Sequence, residues 1–360
     1  MKDNISSYQW MAMLSAPVSA VLMINYIKLY VTATGRGSYV AAIIVSILTF
    51  ILLAAVIFLQ NKNEYRTICR TASFLFGRRL GPIFCFFVAL FFFLFTVEAL
   101  NTYVYIVKFY FLPKTPELIL TFVLFLPAAY MAYCGFRSFA YMSAASLFAF
   151  VLFLLLFLFT KNNYLVANVL PLNDFCRKDI FTSLPMLFLS APAVAASFAA
   201  LPLCGDRRRL YRKAAVFSAA LCVLMIFLYA AGMMYFGEEI IQKLVLPFYN
   251  LSPFFKGNLL ERFDIFFMLA LLPIITIYSA FGFSVFTVIQ QDLLPGLNAR
   301  RRKGLMTVYS VGIVLLSALT VNRLPLWKIY RSFNAAFLVL VGVLFLLYAA
   351  AYLKRRRTRP

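Results

Sequence analysis

The segment Leu14-Ser15-Ala16-Pro17-Val18 returns 175 residues later as Leu189-Ser190-Ala191-Pro192-Ala193. Both copies lie inside long apolar stretches, so each proline falls where a lipid-embedded helix should run. Proline removes an amide donor and crowds the preceding turn, which loosens a helix at that point. Ser15, Ser19, Ser190 and Ser197 stand close enough to bond the backbone groups set free.

The whole chain reads the same way. Of its 360 residues 64% are hydrophobic, and the mean hydropathy is +0.90, against roughly 45–50% apolar residues in soluble domains. A membrane-spanning helix needs about 20 mostly apolar residues. Ten stretches qualify: 8–31, 39–60, 82–109, 118–134, 140–160, 184–204, 214–236, 263–291, 304–322 and 333–353. The two Leu-Ser-Ala-Pro segments therefore sit in spans 1 and 6, which cross the bilayer in opposite directions. That is the signature of an inverted five-plus-five repeat, whose first helix in each half is broken near the midplane to expose backbone groups. The expected fold is an all-α integral membrane protein with ten transmembrane helices. It forms a single domain, 1–360, with pseudo-repeats of about 1–165 and 166–360.

Charge sets the orientation. Lys and Arg number 34 against 12 Asp and Glu, a net +22. With ten spans, 21 of the basic residues fall on the side of the termini and 11 on the other, while Lys28 and Lys108 lie within spans. Basic loops mark the cytoplasmic side, so both termini are expected there, and the charge needs no nucleic-acid partner. The longer outward loops, 161–183 and 237–262, carry proline turns that should fold as short caps.

Several chemistries drop out. The chain has no histidine, which removes imidazole bases, histidine-containing zinc sites and the Ser-His-Asp arrangement. Its six cysteines form no CxxC motif, so neither a metal site nor a disulfide framework is expected. No cofactor and no enzymatic role are expected.

The polar residues inside the spans are the candidate site. Glu98 is the deepest acid, about 4 Å past the centre of span 3 at about 1.5 Å per residue. A charge there costs on the order of 3 kcal/mol. Asn101, Tyr105 and Lys108 follow it at helical spacing, which suggests a proton or water path on one stripe, with structural helix contacts as the alternative. Ser15, Pro17, Ser19, Ser190 and Pro192 at the expected breaks, with Thr276 and Ser279 below Pro273 in span 8, are candidate ligand contacts. Lys28 should extend to the interface.

Further segments carry a family resemblance: Ile5-Ser6-x-x-Gln9, Gly35-x-x-x-Tyr39-Val40, Phe76-Gly77-Arg78-Arg79-Leu80-Gly81, Thr115-Pro116 and Leu259-Leu260-Glu261-Arg262-Phe263-Asp264. In this order they resemble the B subunits of GerA-type spore germinant receptors, across essentially the whole chain. The resemblance implies a permease-like protein of the amino acid/polyamine/organocation (APC) superfamily with a LeuT-like fold, in the spore inner membrane. It implies partnership with an A-type subunit and a C-type lipoprotein subunit, and the sensing of a small germinant such as an amino acid. Glu261, Arg262 and Asp264 fall at the outer end of span 8 and read as a structural or interface group. A proton-coupled amino-acid secondary transporter using Glu98 is the alternative function.

Overall fold

The structure, a computed structural model, describes residues 5–24, 26–156, 165–170, 177–244, 246–248, 264–321 and 326–358. These residues are almost wholly helical: α1 (Ser7–Ile24), α2 (Tyr26–Thr34), α3 (Ser38–Lys62), α4 (Ile68–Tyr110), α5 (Glu117–Tyr133), α6 (Phe136–Leu156), α7 (Arg177–Leu187), α8 (Ala191–Ala200), α9 (Leu210–Lys243), α10 (Asp264–Leu293), α11 (Ala299–Thr320) and α12 (Leu326–Thr358).

Each of the ten expected stretches coincides with one of these helices or a pair of them, but the count differs in detail. Among the described residues, eight helices are long and apolar enough to cross a membrane, or nine when the bent pair α7–α8 is taken as one span. Helix α5 has 17 residues, about 25 Å of rise, and so falls just short of a full crossing. Helices α4 and α9, with 43 and 34 residues, exceed a bilayer. Each bends at a glycine in the left-handed region, Gly77 (φ 81°) and Gly237 (φ 73°), conformations that a side chain would disfavour. The bend in α4 separates a short leading segment from the spanning part that follows.

Burial sorts the helices into layers. In the most apolar stretches of α1 and α10, 83% and 78% of residues are buried, whereas in α11 only 17% are. With no hydrophobic force to drive helices together in lipid, close packing and small residues must do so. Gly282 shows this: a Cβ there would lie 2.6 Å from the Thr96 hydroxyl and 2.8 Å from the Phe95 ring, so α10 approaches α4 at contact distance only because the residue is glycine. Gly232 does the same for α9 against Ile27 of α2. Aromatic rings fill the space beside that contact, with Phe95 edge-on to Tyr278, Phe281 and Phe337. The outer layer presents Phe86, Phe87, Phe122, Phe148 and Leu346 outward, as lipid-facing helices should.

The two proline motifs behave differently. Span 6 is broken: α7 ends at Leu187, α8 begins at Ala191, and the two meet at 42°. Pro192 lies in the first turn of α8, where a missing amide donor costs nothing. Span 1 is not broken at its proline, contrary to the sequence expectation. Helix α1 continues through Pro17 to Ile24, with α2 described from Tyr26 onward.

Candidate functional site

The break in span 6 exposes the carbonyls at the end of α7, and side chains from other helices take them up. The Tyr30 hydroxyl of α2 donates to the Leu187 carbonyl at 2.6 Å, and the Asn334 amide of α12 donates to the Met186 carbonyl at 3.0 Å. Thr49 of α3 gives its own proton to the Val45 carbonyl at 2.7 Å. The Ser190 hydroxyl, 2.5 Å from Thr49 Oγ1, is then the donor between them. Tyr30, Thr49, Ser190 and Asn334 are all buried. Three helices remote in sequence thus converge on the five residues Met186–Ser190. Tyr26, whose ring lies 4.7 Å from that of Tyr30, donates to the Met225 carbonyl at 2.6 Å and ties α2 to α9.

Ser15 and Ser19 lie on α1. Their hydroxyls return to the Ala12 and Ala16 carbonyls at 2.5 and 3.3 Å, not to the Met13 carbonyl that Pro17 deprives of an amide. Both serines edge an apolar cavity of about 140 Å³ closed by Leu147 and Phe150 of α6 and by Phe217 and Leu221 of α9. Ser197 bonds its own helix at Ala193.

Glu98 is 3% exposed and faces α10. Tyr278 donates to its Oε2 at 3.4 Å and Thr102 to its Oε1 at 3.3 Å. One turn away, Thr276 gives its proton to the Leu272 carbonyl at 2.7 Å, so Tyr103, at 3.3 Å, donates to Thr276. Ser279 returns to Ile275 at 3.3 Å. Asn101 faces another helix: it donates to Thr320 at 2.8 Å and accepts from Ser317 at 2.6 Å, both on α11. Tyr105 stacks on Phe109, and Lys108 pairs with Glu117 at the start of α5. The stripe that helical spacing predicts therefore divides, with Glu98 turned to α10, Asn101 to α11 and Lys108 to α5, and Tyr105 stacked on its own helix. Lys28 donates to the Leu244 carbonyl at 2.7 Å and so caps the end of α9. Glu261 and Arg262 lie outside the described residues. Asp264 opens α10, and its side chain likewise lies outside them.

Two groups of residues escaped the sequence reading. Tyr30, Thr49 and Asn334 are ordinary polar residues at span edges or in a span centre, and no local pattern links them to Ser190. At the face that carries the N-terminus, Ile5 pairs with Cys204 in an isolated parallel bridge. The Ile5 amide donates to Leu203 and the Gly205 amide to Ile5, both at 3.0 Å. Beside it, Ser7 donates to Asp206 at 3.1 Å and Lys213 donates to Ser7. The Arg208 amide and the Ser7 hydroxyl hold the Asp206 carboxyl below its usual range.

Apolar helices wrapped round a broken one define a multi-pass integral membrane protein of the permease kind. The chain belongs to the spore germination protein family, whose model matches residues 4–324. Among solved structures, one described as the substrate-bound outward-open state of a Na+-coupled sialic acid symporter shares the fold. Its TM-score is 0.60 at 12% identity, covering 97% of this chain and 79% of that one. The architecture is thus the LeuT-like one that the family resemblance implies. No curated protein matches the chain.

Proposed function

We propose that this chain is the permease-like subunit of a spore germinant receptor, set in the spore inner membrane with both termini in the cytoplasm, and that it senses a small germinant, an amino acid by chemical class. The observation that carries this reading is the break in span 6, whose Met186 and Leu187 carbonyls are held by exchangeable side-chain donors from α12 and α2. A ligand bearing an ammonium or amide can compete for such carbonyls, and replacing Tyr30 or Asn334 would release α2 or α12 from α7. Binding then favours one arrangement of helices over another, and only such a difference in affinity can move the equilibrium. An A-type subunit and a C-type lipoprotein would receive the change. The chain itself acts without a cofactor and catalyses no reaction.

The ligand contacts proposed are Ser190 and Pro192 at the break, Ser15, Pro17 and Ser19 on the adjoining α1, and Thr276 and Ser279 on α10. Glu98 is assigned a proton or water role, and Asn101 and Tyr105 its continuation along α4. Glu261, Arg262 and Asp264 remain an interface group. The test is a Glu98→Gln spore holding normal amounts of the chain and exposed to the twenty L-amino acids. The reading expects a shifted or lost response to at least one of them, and an unaltered response to all would remove the role given to Glu98.

A second reading, proton-coupled amino-acid transport, draws on the burial of Glu98 between two helices of a symporter-like fold. Accumulation of labelled amino acids in proteoliposomes under a pH gradient would favour it, whereas binding without flux favours the receptor.

A further inference from the structure

The half-helix formed by α8 and the turn Leu201–Leu203 is fastened at both ends. At one end it meets α7 through the 42° break. At the other, Leu203 and Gly205 are hydrogen-bonded to Ile5. Ile5 cannot move independently of α1, because a capping box follows it at once: the Ser6 amide donates to Gln9 Oε1 at 2.7 Å and the Gln9 amide to Ser6 Oγ at 3.2 Å. Such reciprocal bonds fix the direction in which the chain enters a helix. Any tilt of α8 about its break must therefore either drag α1 with it or part Ile5 from the Leu203–Gly205 edge.

The contact is built to part. It is a single bridge of two backbone bonds, not a sheet. Its polar side is a relay in which Lys213 donates to Ser7 and Ser7 to Asp206, with the Lys213 ammonium 3.6 Å above the Tyr8 ring. Lys213 is 8% exposed, a costly place for a cation unless its partners stay. Space for movement lies alongside. An open surface pocket of about 510 Å³ is lined by Ile5, Ser6, Tyr8 and Gln9 on one side and by Arg137 and Tyr141 of α6 on the other, with Gln9 reaching the Tyr141 hydroxyl.

We infer that residues Ile5–Gln9 form a release latch, which in the closed arrangement joins the N-terminus of α1 to the far end of α8 through Ile5, Ser7, Asp206 and Lys213, and which opens when the break in span 6 changes shape. Its role in signalling rests on the receptor reading, but the latch itself can be tested without that reading.

The native Cys204 supplies both probes. It is 2% exposed while the latch is closed, so its labelling by a maleimide reports opening. In membrane vesicles, with the other five cysteines changed to serine, Lys213→Met and the milder Asp206→Asn should each raise the labelling rate of Cys204 about tenfold. Unchanged rates in both would overturn the latch, whatever the protein's role. Residues paired across adjacent strands lie about 5 Å apart, within the roughly 4.4–6.8 Å that a disulfide bridges, so Ile5→Cys should cross-link to Cys204 on oxidation with copper phenanthroline. In spores challenged with the twenty L-amino acids, the cross-linked chain should lower the germination rate at least tenfold. Dithiothreitol should restore it, and an Ile5→Cys, Cys204→Ser chain should ignore the oxidant. A fully cross-linked chain that germinates normally would overturn the signalling role. If spores deleted for the chain keep their amino-acid response, the receptor reading fails instead, while the vesicle measurement still decides the latch.

Discussion

Spans 1 and 6 contain the same four residues, Leu-Ser-Ala-Pro, and fold differently around them. In span 1 the helix continues through Pro17. In span 6 it stops before the motif's alanine and restarts with Pro192 in its first turn. The surroundings account for the difference. The hydroxyls beside Pro17 turn back to carbonyls of their own helix, and the cavity next to them is apolar. The carbonyls before Pro192 are met by Tyr30 and Asn334, and Ser190 by Thr49, all from elements distant in sequence. A proline marks where a donor is missing, and a helix opens there only when partners stand ready for the groups that opening exposes.

This comparison can be broken at either end. The largest effect is expected from removing the partners of span 6. Tyr30→Phe with Asn334→Leu removes the side-chain donors to the Leu187 and Met186 carbonyls, while Leu187 keeps the Leu189 amide at 2.8 Å, a loss of about 0.5–1.5 kcal/mol per bond. The thermal midpoint of the detergent-solubilised protein should fall by several degrees, and a midpoint equal to that of the unaltered chain would show that the break is not held by these residues. Next is Pro17→Ala. A proline inside a helix costs up to about 3 kcal/mol, so this change should raise the midpoint. Pro192→Ala should barely move it, because that residue occupies a first-turn position. Equal effects of the two alanine substitutions would contradict the contrast between the spans.

A smaller effect concerns Asp206 in the latch. The Arg208 amide and Ser7 lower its pKa in the folded chain, so its ionised form supports the fold above the ordinary carboxylate range. That support is lost only as pH falls through the lowered value. Lys213, Arg207, Arg208, Cys204 and Tyr8 are the charged and titratable groups around it. Maleimide attacks the thiolate, so the labelling rate of Cys204 must first be divided by its thiolate fraction at each pH; the corrected rate should be flat across about pH 5–7, and a rise toward pH 5 would show that another group governs the latch.

Much of the fold was legible because the solvent is lipid. Hydrophobic length places the spans, basic residues place the loops, and a repeated motif on spans 1 and 6 implies inversion. The site was legible only in part. Glu98 and Ser190 stood out as polar residues in apolar helices, yet their partners did not. Asn334 looks like an ordinary residue at the edge of span 10, and nothing near Tyr30 indicates that it reaches Leu187, 157 positions away. The stripe from Glu98 to Lys108 was read from helical spacing alone, which cannot distinguish α10 from α11 as a neighbour. The latch was hidden for the same reason: Ile5 and Cys204 carry no pattern, and the backbone pairs them only after spans 1 and 6 have packed.

The central claim is that the break in span 6 senses the germinant through the donors that hold it. The most direct measurement is the dose–response of germination to each of the twenty L-amino acids in spores carrying Tyr30→Phe, with the chain present in normal amount. The account predicts that the concentration needed for half-maximal germination shifts about tenfold or more for at least one amino acid to which the unaltered spores respond. Superimposable curves for every amino acid would contradict it.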